Sequence, residues 1–291
     1  MRFGVLILPD APWSVACERW QSAERMGFDH AWTYDHLTWR SLRDSPWFAA
    51  MPTLVAAAVA TSRIRLGTLV ASPTFRHPVT FAKELMTLDD ISGGRVTAGI
   101  GAGGEGFDAT ALRTVAWSRP ERTERFEEFV AMLDRLLTEP TTSAEGRYYV
   151  ANEARAIPGC RQRPRLPFAI AATGPRGLRV AARHGATWIA SDSRGAGRDL
   201  VERLAEACAA EGREPASLAR LVLVGHRERP LDSVEAFRDV AGRYGDAGFS
   251  DLVVHWPRQD EPFAADLRVL ERIAAEVLGR SDRPAAILDH T

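Results

Sequence analysis

The chain has 291 residues, 45% of them hydrophobic, enough to bury one large core, and a single α/β barrel of this size is commoner than two small domains. A formal net charge of -1 excludes the basic footprint of a nucleic-acid binder or of a protein held on an anionic membrane, and points to a small-molecule partner. Lysine occurs once, as Lys83 inside a helical run, which argues against Schiff-base chemistry at strand ends.

Short apolar runs without alternation mark strands at 3–8, 30–33, 64–70, 95–100, 167–172, 187–191, 220–225 and 251–256, the pattern of strands buried on both faces of a parallel sheet. Helical stretches at 14–26, 52–62, 78–92, 120–138, 175–184, 198–211, 232–244 and 262–278 alternate with them. Pro52, Pro78 and Pro120 stand at or near three of the helix starts, where a missing N–H costs nothing. Strict alternation of eight strands and eight helices predicts a (β/α)8 TIM barrel over residues 1–280, with 281–291 as a frayed tail. The opening MRFGVLILPD enters its strand directly, with no basic region or long apolar segment, and no apolar run approaches the roughly 20 residues that span a bilayer. Cys17, Cys160 and Cys208 are isolated and form no metal-ligand spacing, so the expected setting is the cytoplasm and the expected metal content none.

Two connections are long, residues 34–51 and 139–166. The first belongs to the C-terminal face of the barrel, where active sites are built. The second belongs to the opposite face unless it folds back, and its Tyr148, Tyr149 and Pro158 could equally pack on a partner subunit.

GRVTAGIGAGGEGFD, residues 94–108, contains G-x-G-x-x-G at Gly99, Gly101 and Gly104. A dinucleotide fingerprint opens a helix at its third glycine within the first βαβ unit. Here the glycines follow the fourth strand and run into EGFDATALR, well before the helix near Pro120, so that reading fails on context. Gly101, Gly103 and Gly104 instead keep a strand end free of side chains, so that a flat ring or a phosphate can approach the backbone; a loop without a ligand is the alternative on the residues alone.

YDHL (34–37), LGTLVASPTFRHPVTFAKE (66–84), SGGRVTAGIGAG (92–103) and ATGPRGLRVAARHGATWI (172–189) together resemble the bacterial-luciferase-like superfamily, and within it the deazaflavin branch that uses coenzyme F420. The resemblance implies that Asp35 contacts the cofactor and that His36 does acid–base chemistry, a role suited to an imidazole that titrates near neutrality. It implies a non-proline cis peptide at Leu69 and Val70 behind the ring, a hydrogen bond from Ser72 to the ring edge, and close approach of the ring to Ala102 and Gly103. On the residues alone Ser72 is a turn serine before Pro73. TGPRG, with Gly174, Pro175 and Arg176, opens a helix whose amides suit the cofactor phosphate; the alternative is a helix cap with a solvated arginine.

The sequence also departs from that branch. Trp39 stands one position before the family's active-site tryptophan and Glu105 one position after its glutamate, so these two either keep catalytic roles through a one-residue shift or lack them. The lysines that would grip a sugar phosphate have no counterparts. Trp39, Trp47, Phe48, Phe75 and Trp256, with His226 and His255 at strand ends, suit an apolar or bulky organic substrate instead. The expected activity is hydride transfer between coenzyme F420 and such a substrate; the alternatives are an FMN-dependent monooxygenase fed with reduced flavin, and a non-catalytic relative. The resemblance further implies a homodimer and a separate flavin or F420 reductase.

Overall fold

A closed barrel of parallel strands forms the centre of the computed structural model, which describes residues 1–113 and 115–279. In chain order its elements begin β1 (Arg2–Leu6), α1 (Trp13–Arg25), β2 (His30–Thr33), α2 (Ala50–Ala60), β3 (Arg65–Thr68), α3 (Pro78–Ile91) and β4 (Val96–Gly101). A short α4 (Asp108–Ala111) and a long α5 (Arg119–Thr138) lead to a hairpin, β5 (Thr141–Glu145) and β6 (Val150–Arg155). The chain then continues through β7 (Phe168–Ala171), α6 (Pro175–His184), β8 (Thr187–Ser191), α7 (Arg198–Ala210), β9 (Ala219–Leu223), α8 (Val234–Asp246), β10 (Asp251–His255) and α9 (Leu267–Ile273). Around the barrel the order is β1-β10-β9-β8-β7-β4-β3-β2, every pairing parallel, so the predicted (β/α)8 barrel is the fold.

The outer core fills the space between strands and helices with fully buried Trp20, Phe81, Phe126, Phe129, Trp188 and Phe237, each contributing about 1.5–3 kcal/mol by leaving water. The barrel interior is a separate cluster built by alternate residues of the strands, among them Leu6, Trp32, Leu69, Ile189, Leu221 and Val253. Strand β2 sends three large side chains inward, His30, Trp32 and Tyr34, and its neighbours make room with glycine. A Cβ on Gly4 would lie 2.0 Å from His30 Nδ1, and one on Gly67 would lie 2.5 Å from the Trp32 ring.

The floor of the barrel is polar. Trp32 Nε1 donates to His30 Nδ1 at 2.7 Å, and His30 Nε2 lies 3.1 Å from Asp251 Oδ1. An indole N–H can only donate, so His30 Nδ1 is the acceptor and Nε2–H donates to Asp251. Arg2 and Ser250 donate to the other carboxylate oxygen at 3.0 and 2.6 Å. Burial pushes the Asp251 pKa up, but His30 and Arg2 outweigh it and hold the carboxyl down at about 2.

Three elements differ from expectation. The 139–166 connection carries the β5–β6 hairpin, which folds back along α5: Glu128 accepts the backbone amides of Arg147, Tyr148 and Tyr149, and Tyr148 Oη donates to Glu124. Tyr149 lies against Phe129 and His77, so these tyrosines pack on their own chain. The rest of the connection covers the barrel floor, where Asp89 accepts the amides of Arg161 and Gln162. The last helix starts at Leu267 rather than 262, because residues 257–266 form a strap closed by Arg258 N–H to Phe263 O (3.2 Å) and Ala265 N–H to Arg258 O (3.0 Å). The short α4, absent from the sequence reading, carries Asp108. The expected tail, 281–291, lies outside the described residues.

Candidate active site

Parallel alternation carries inward-facing positions to the C-terminal rim, so Tyr34 follows Trp32 on β2, and His255 follows Val253 on β10. Tyr34 Oη is 2.8 Å from His255 Nε2 and 3.4 Å from His226 Nε2. His255 Nδ1 lies 3.2 Å from the Val224 carbonyl, which can only accept; hence Nδ1 carries the proton and Nε2 accepts from Tyr34. Burial first, and then the neighbouring His226, keep His255 neutral far below the usual histidine range. Burial likewise pushes the Tyr34 phenol up, so it stays a neutral donor. Behind them Asp192 accepts four successive backbone amides, Gly225 to Glu228, at 2.9–3.2 Å. Burial disfavours its charge, but His226 and those amides win and hold the carboxylate well below its ordinary range. His226 Nδ1 is buried 3.6 Å from Asp192 and makes no hydrogen bond.

Beside this cluster stands His36, whose ring edges Tyr34 at 5.9 Å and whose side chain is 34% exposed. Its Nδ1 bonds to Asp108 Oδ2, while Asp108 Oδ1 accepts the amides of Leu37 (2.8 Å) and Thr38 (3.3 Å). One carboxylate thus fixes both the turn and the ring, and leaves Nε2 as the nitrogen able to accept a proton. Trp39 is buried and stacked between Tyr34 and Trp47, and the Trp47 indole donates to the His36 carbonyl at 2.9 Å.

Across the rim the Leu69–Val70 peptide is cis. Gly101 lies beyond it, where a Cβ would come within 2.8 Å of Val70 Cγ2. Gly103 has φ +75°, and a Cβ there would lie 2.2 Å from Thr74 Oγ1, so both the backbone conformation and the close packing of this turn on Thr74 require glycine. Ser72 is buried near Gly103 and accepts the Thr74 amide at 3.4 Å, the turn-serine geometry. Gly174 is the N-cap of α6 and supplies no side-chain cap, with Pro175 in the first turn. The amides of Arg176 and Gly177 therefore face outward from the helix start.

Six residues expected at the site stand elsewhere or find other immediate partners. Asp35 is buried with both oxygens on Arg76, one at 2.7 Å. The Arg176 guanidinium forks onto Glu127, one arm at 2.8 Å, which leaves the helix amides rather than the side chain for an anion. Glu105 is 76% exposed and pairs with Arg122 at 3.1 Å, away from the aromatic cluster. Trp256 follows His255 and so points the other way, into the outer core. Phe48 is exposed, and Phe75 carries the Arg76 guanidinium on its face.

The luciferase-like monooxygenase family matches residues 1–261. The chain belongs to that family. Relatives of this luciferase-like chain include the F420-dependent glucose-6-phosphate dehydrogenase of Intrasporangium calvum, 31% identical over 88% of this chain and 91% of that enzyme. The F420-dependent hydroxymycolic acid dehydrogenase of Mycobacterium tuberculosis is 30% identical, over 76% of this chain and 62% of that one. Among solved structures, an F420-dependent secondary alcohol dehydrogenase superposes with a TM-score of 0.80 at 17% identity, covering 94% of this chain and 97% of that one, a likeness of luciferase-like fold.

Tyr34, Asp108, Asp192 and Phe263 were not singled out from the sequence. Period-2 alternation carries the signal for Tyr34, since Trp32 and Tyr34 share a face of β2. Asp108 lies 72 residues from His36, and nothing local marks it.

Proposed function

We propose that the chain is an F420-dependent oxidoreductase that moves a hydride between the deazaflavin and an apolar organic substrate, with His36 handling the proton. The observation that carries this reading is the His36–Asp108 pair beside a strand end emptied of side chains at Gly101 and Gly103. The residues present fit the cofactor: the cis Leu69–Val70 peptide and the Ala102–Gly103 backbone would back the ring, Ser72 would stand near its edge, and the uncapped amides after Gly174 and Pro175 would take its phosphate. When bound, the deazaflavin supplies the carbon that accepts or donates the hydride and carries the electrons.

The protein's part is proton handling and orientation. As the substrate carbon loses hydride, His36 Nε2 takes the proton from its hydroxyl, and in the reverse direction gives it back. Asp108 holds the ring in the tautomer that permits this. Asp35 fixes the turn through Arg76, Trp39 walls the substrate pocket, and Glu105 serves the rim through Arg122 rather than the chemistry. The chain's single lysine, Lys83, lies on α3, so the glucose 6-phosphate named for its relatives is not the expected substrate. No helix among the described residues is long and apolar enough to cross a membrane. A cytoplasmic homodimer supplied by a separate F420 reductase completes the proposal.

Anaerobic titration of the protein with F420 and with FMN, followed by turnover with secondary alcohols or enones, tests the reading. The expected result is tight F420 binding and turnover without oxygen consumption. Preferential FMN binding with oxygen uptake would replace it with the monooxygenase reading.

A further inference from the structure

We propose that Phe263 is a built-in occupant of a ring-binding box at the barrel mouth, and that the box receives a planar ring of the substrate. The inference rests on the mouth being the substrate site, and adds the substrate's shape. The Phe263 ring lies flat on His255, centroids 3.4 Å apart and planes 8° from parallel. His226 meets it edge-on at 5.2 Å and 84°, and Trp39 closes a third side at 5.7 Å.

The three walls are held independently of their occupant. His255 is bonded to Tyr34 and to the Val224 carbonyl, His226 leans on Tyr34, and Trp39 is sandwiched by Tyr34 and Trp47. The occupant comes from a separate element, outside the strands that carry the walls. Phe263 is only partly buried, sits on the 257–266 strap, and has φ +72°, a left-handed conformation that an aromatic residue adopts only under outside constraint. A cavity beneath the strap adjoins the box, since His255 and Phe263 line both; the rest of its lining is mixed, with Pro230 and Leu231 beside Glu228 and Arg229.

An occupied box binds its ligand only in the fraction of molecules from which Phe263 has moved, so removing the occupant should tighten binding. The test uses cofactor-free protein and two probes, planar 2-naphthol and non-planar cyclohexanol, with calorimetry on wild type, Phe263→Ala and Phe263→Trp. The expected result is a Kd for 2-naphthol about tenfold lower in Phe263→Ala. Phe263→Trp, which restores a flat occupant, should bind no more tightly than wild type, and cyclohexanol should change less than about twofold. Thermal unfolding checks that the variants are folded, and Phe263→Leu replaces the alanine variant if it is not. Unchanged or weaker naphthol binding on removing the ring, or an equal gain for cyclohexanol, would overturn the box. F420 titration of the same proteins separates the two readings: a naphthol gain in protein that does not bind F420 removes the cofactor assignment and leaves the box standing.

Discussion

The floor and the mouth of the barrel are built by the same two strands from similar groups, and they end in opposite states. At the floor, β2 and β10 pair His30 with Asp251, and Trp32, Arg2 and Ser250 fill the remaining positions. At the mouth the same strands pair Tyr34 with His255, yet His226 Nδ1 stops 3.6 Å short of Asp192 and His36 presents Nε2 outward from its bond to Asp108. A closed polar network holds a fold together, because breaking it strands a buried group. A network with open atoms is one where a ligand can complete the set.

Substitutions at the two ends should therefore separate activity from stability. The largest effect expected is on catalysis: His36→Ala should lower kcat by roughly 10²- to 10⁴-fold while leaving F420 affinity within about twofold, as read by steady-state kinetics and fluorescence titration. Equal loss of kcat and of cofactor binding would mean that His36 holds the ring rather than the proton. Next comes Asp251→Ala at the floor, which strands His30 and Arg2 and should cost about 3–5 kcal/mol in urea unfolding, with kcat of the still-folded fraction unchanged. If that variant lost turnover in proportion to His36→Ala, the division between floor and mouth would fail. Asp108→Asn is expected to be milder, about 10- to 100-fold in kcat with a displaced pH–rate profile, because the amide can still cap Leu37 while no longer selecting the His36 tautomer. An unchanged pH profile would reduce Asp108 to a turn-capping residue.

The barrel was legible because its signals are local. Each strand is a short apolar run, each helix a periodic stretch, and the start of α3 shows in Pro78. The strap was not legible, since residues 262–266 continue an apolar pattern and only the positive φ at Phe263 and the bonds across Arg258 show that the helix has not begun. The candidate site was legible where a motif carries the proposal, at His36 and at the glycines before Glu105. It was hidden where it depends on pairings across the barrel, as with Asp108, or on a partner that diverts a matched residue, as Arg76 diverts Asp35 and Glu127 diverts Arg176. One residue of phase separates His255, which points inward, from Trp256, which does not; strand alternation alone distinguishes them.

The smallest effect is graded, and it sets the two ends apart by pH. His255 is buried neutral, so its affinity for a proton in the folded chain is below that of an unfolded histidine near 6.5. As pH falls below about 6.5 the unfolded chain takes up a proton that the folded chain refuses, and stability drops by up to about 1.4 kcal/mol per pH unit from this group. Asp251 works in a lower window: folded at about 2 against an ordinary 3.8, its contribution is complete above the latter and is lost as pH falls through the former. The loss of stability between pH 6.5 and 4.5 should thus trace to the mouth histidine, and the floor carboxylate should add its loss only below that range. His255→Gln, which keeps a partner for Tyr34 but cannot titrate, should flatten the loss between pH 6.5 and 4.5 and leave the loss below pH 4 in place. Some slope should remain in the upper window, because burial also lowers His77; the lower one is shared with Asp192, held down by His226 and its four amides, and with Asp134, held at about 2 once His184 and Arg165 outweigh its burial. Urea denaturation at half-unit pH steps measures both windows, and a His255→Gln curve that parallels wild type between pH 6.5 and 4.5 would show that the mouth histidine is not what makes the fold acid-sensitive.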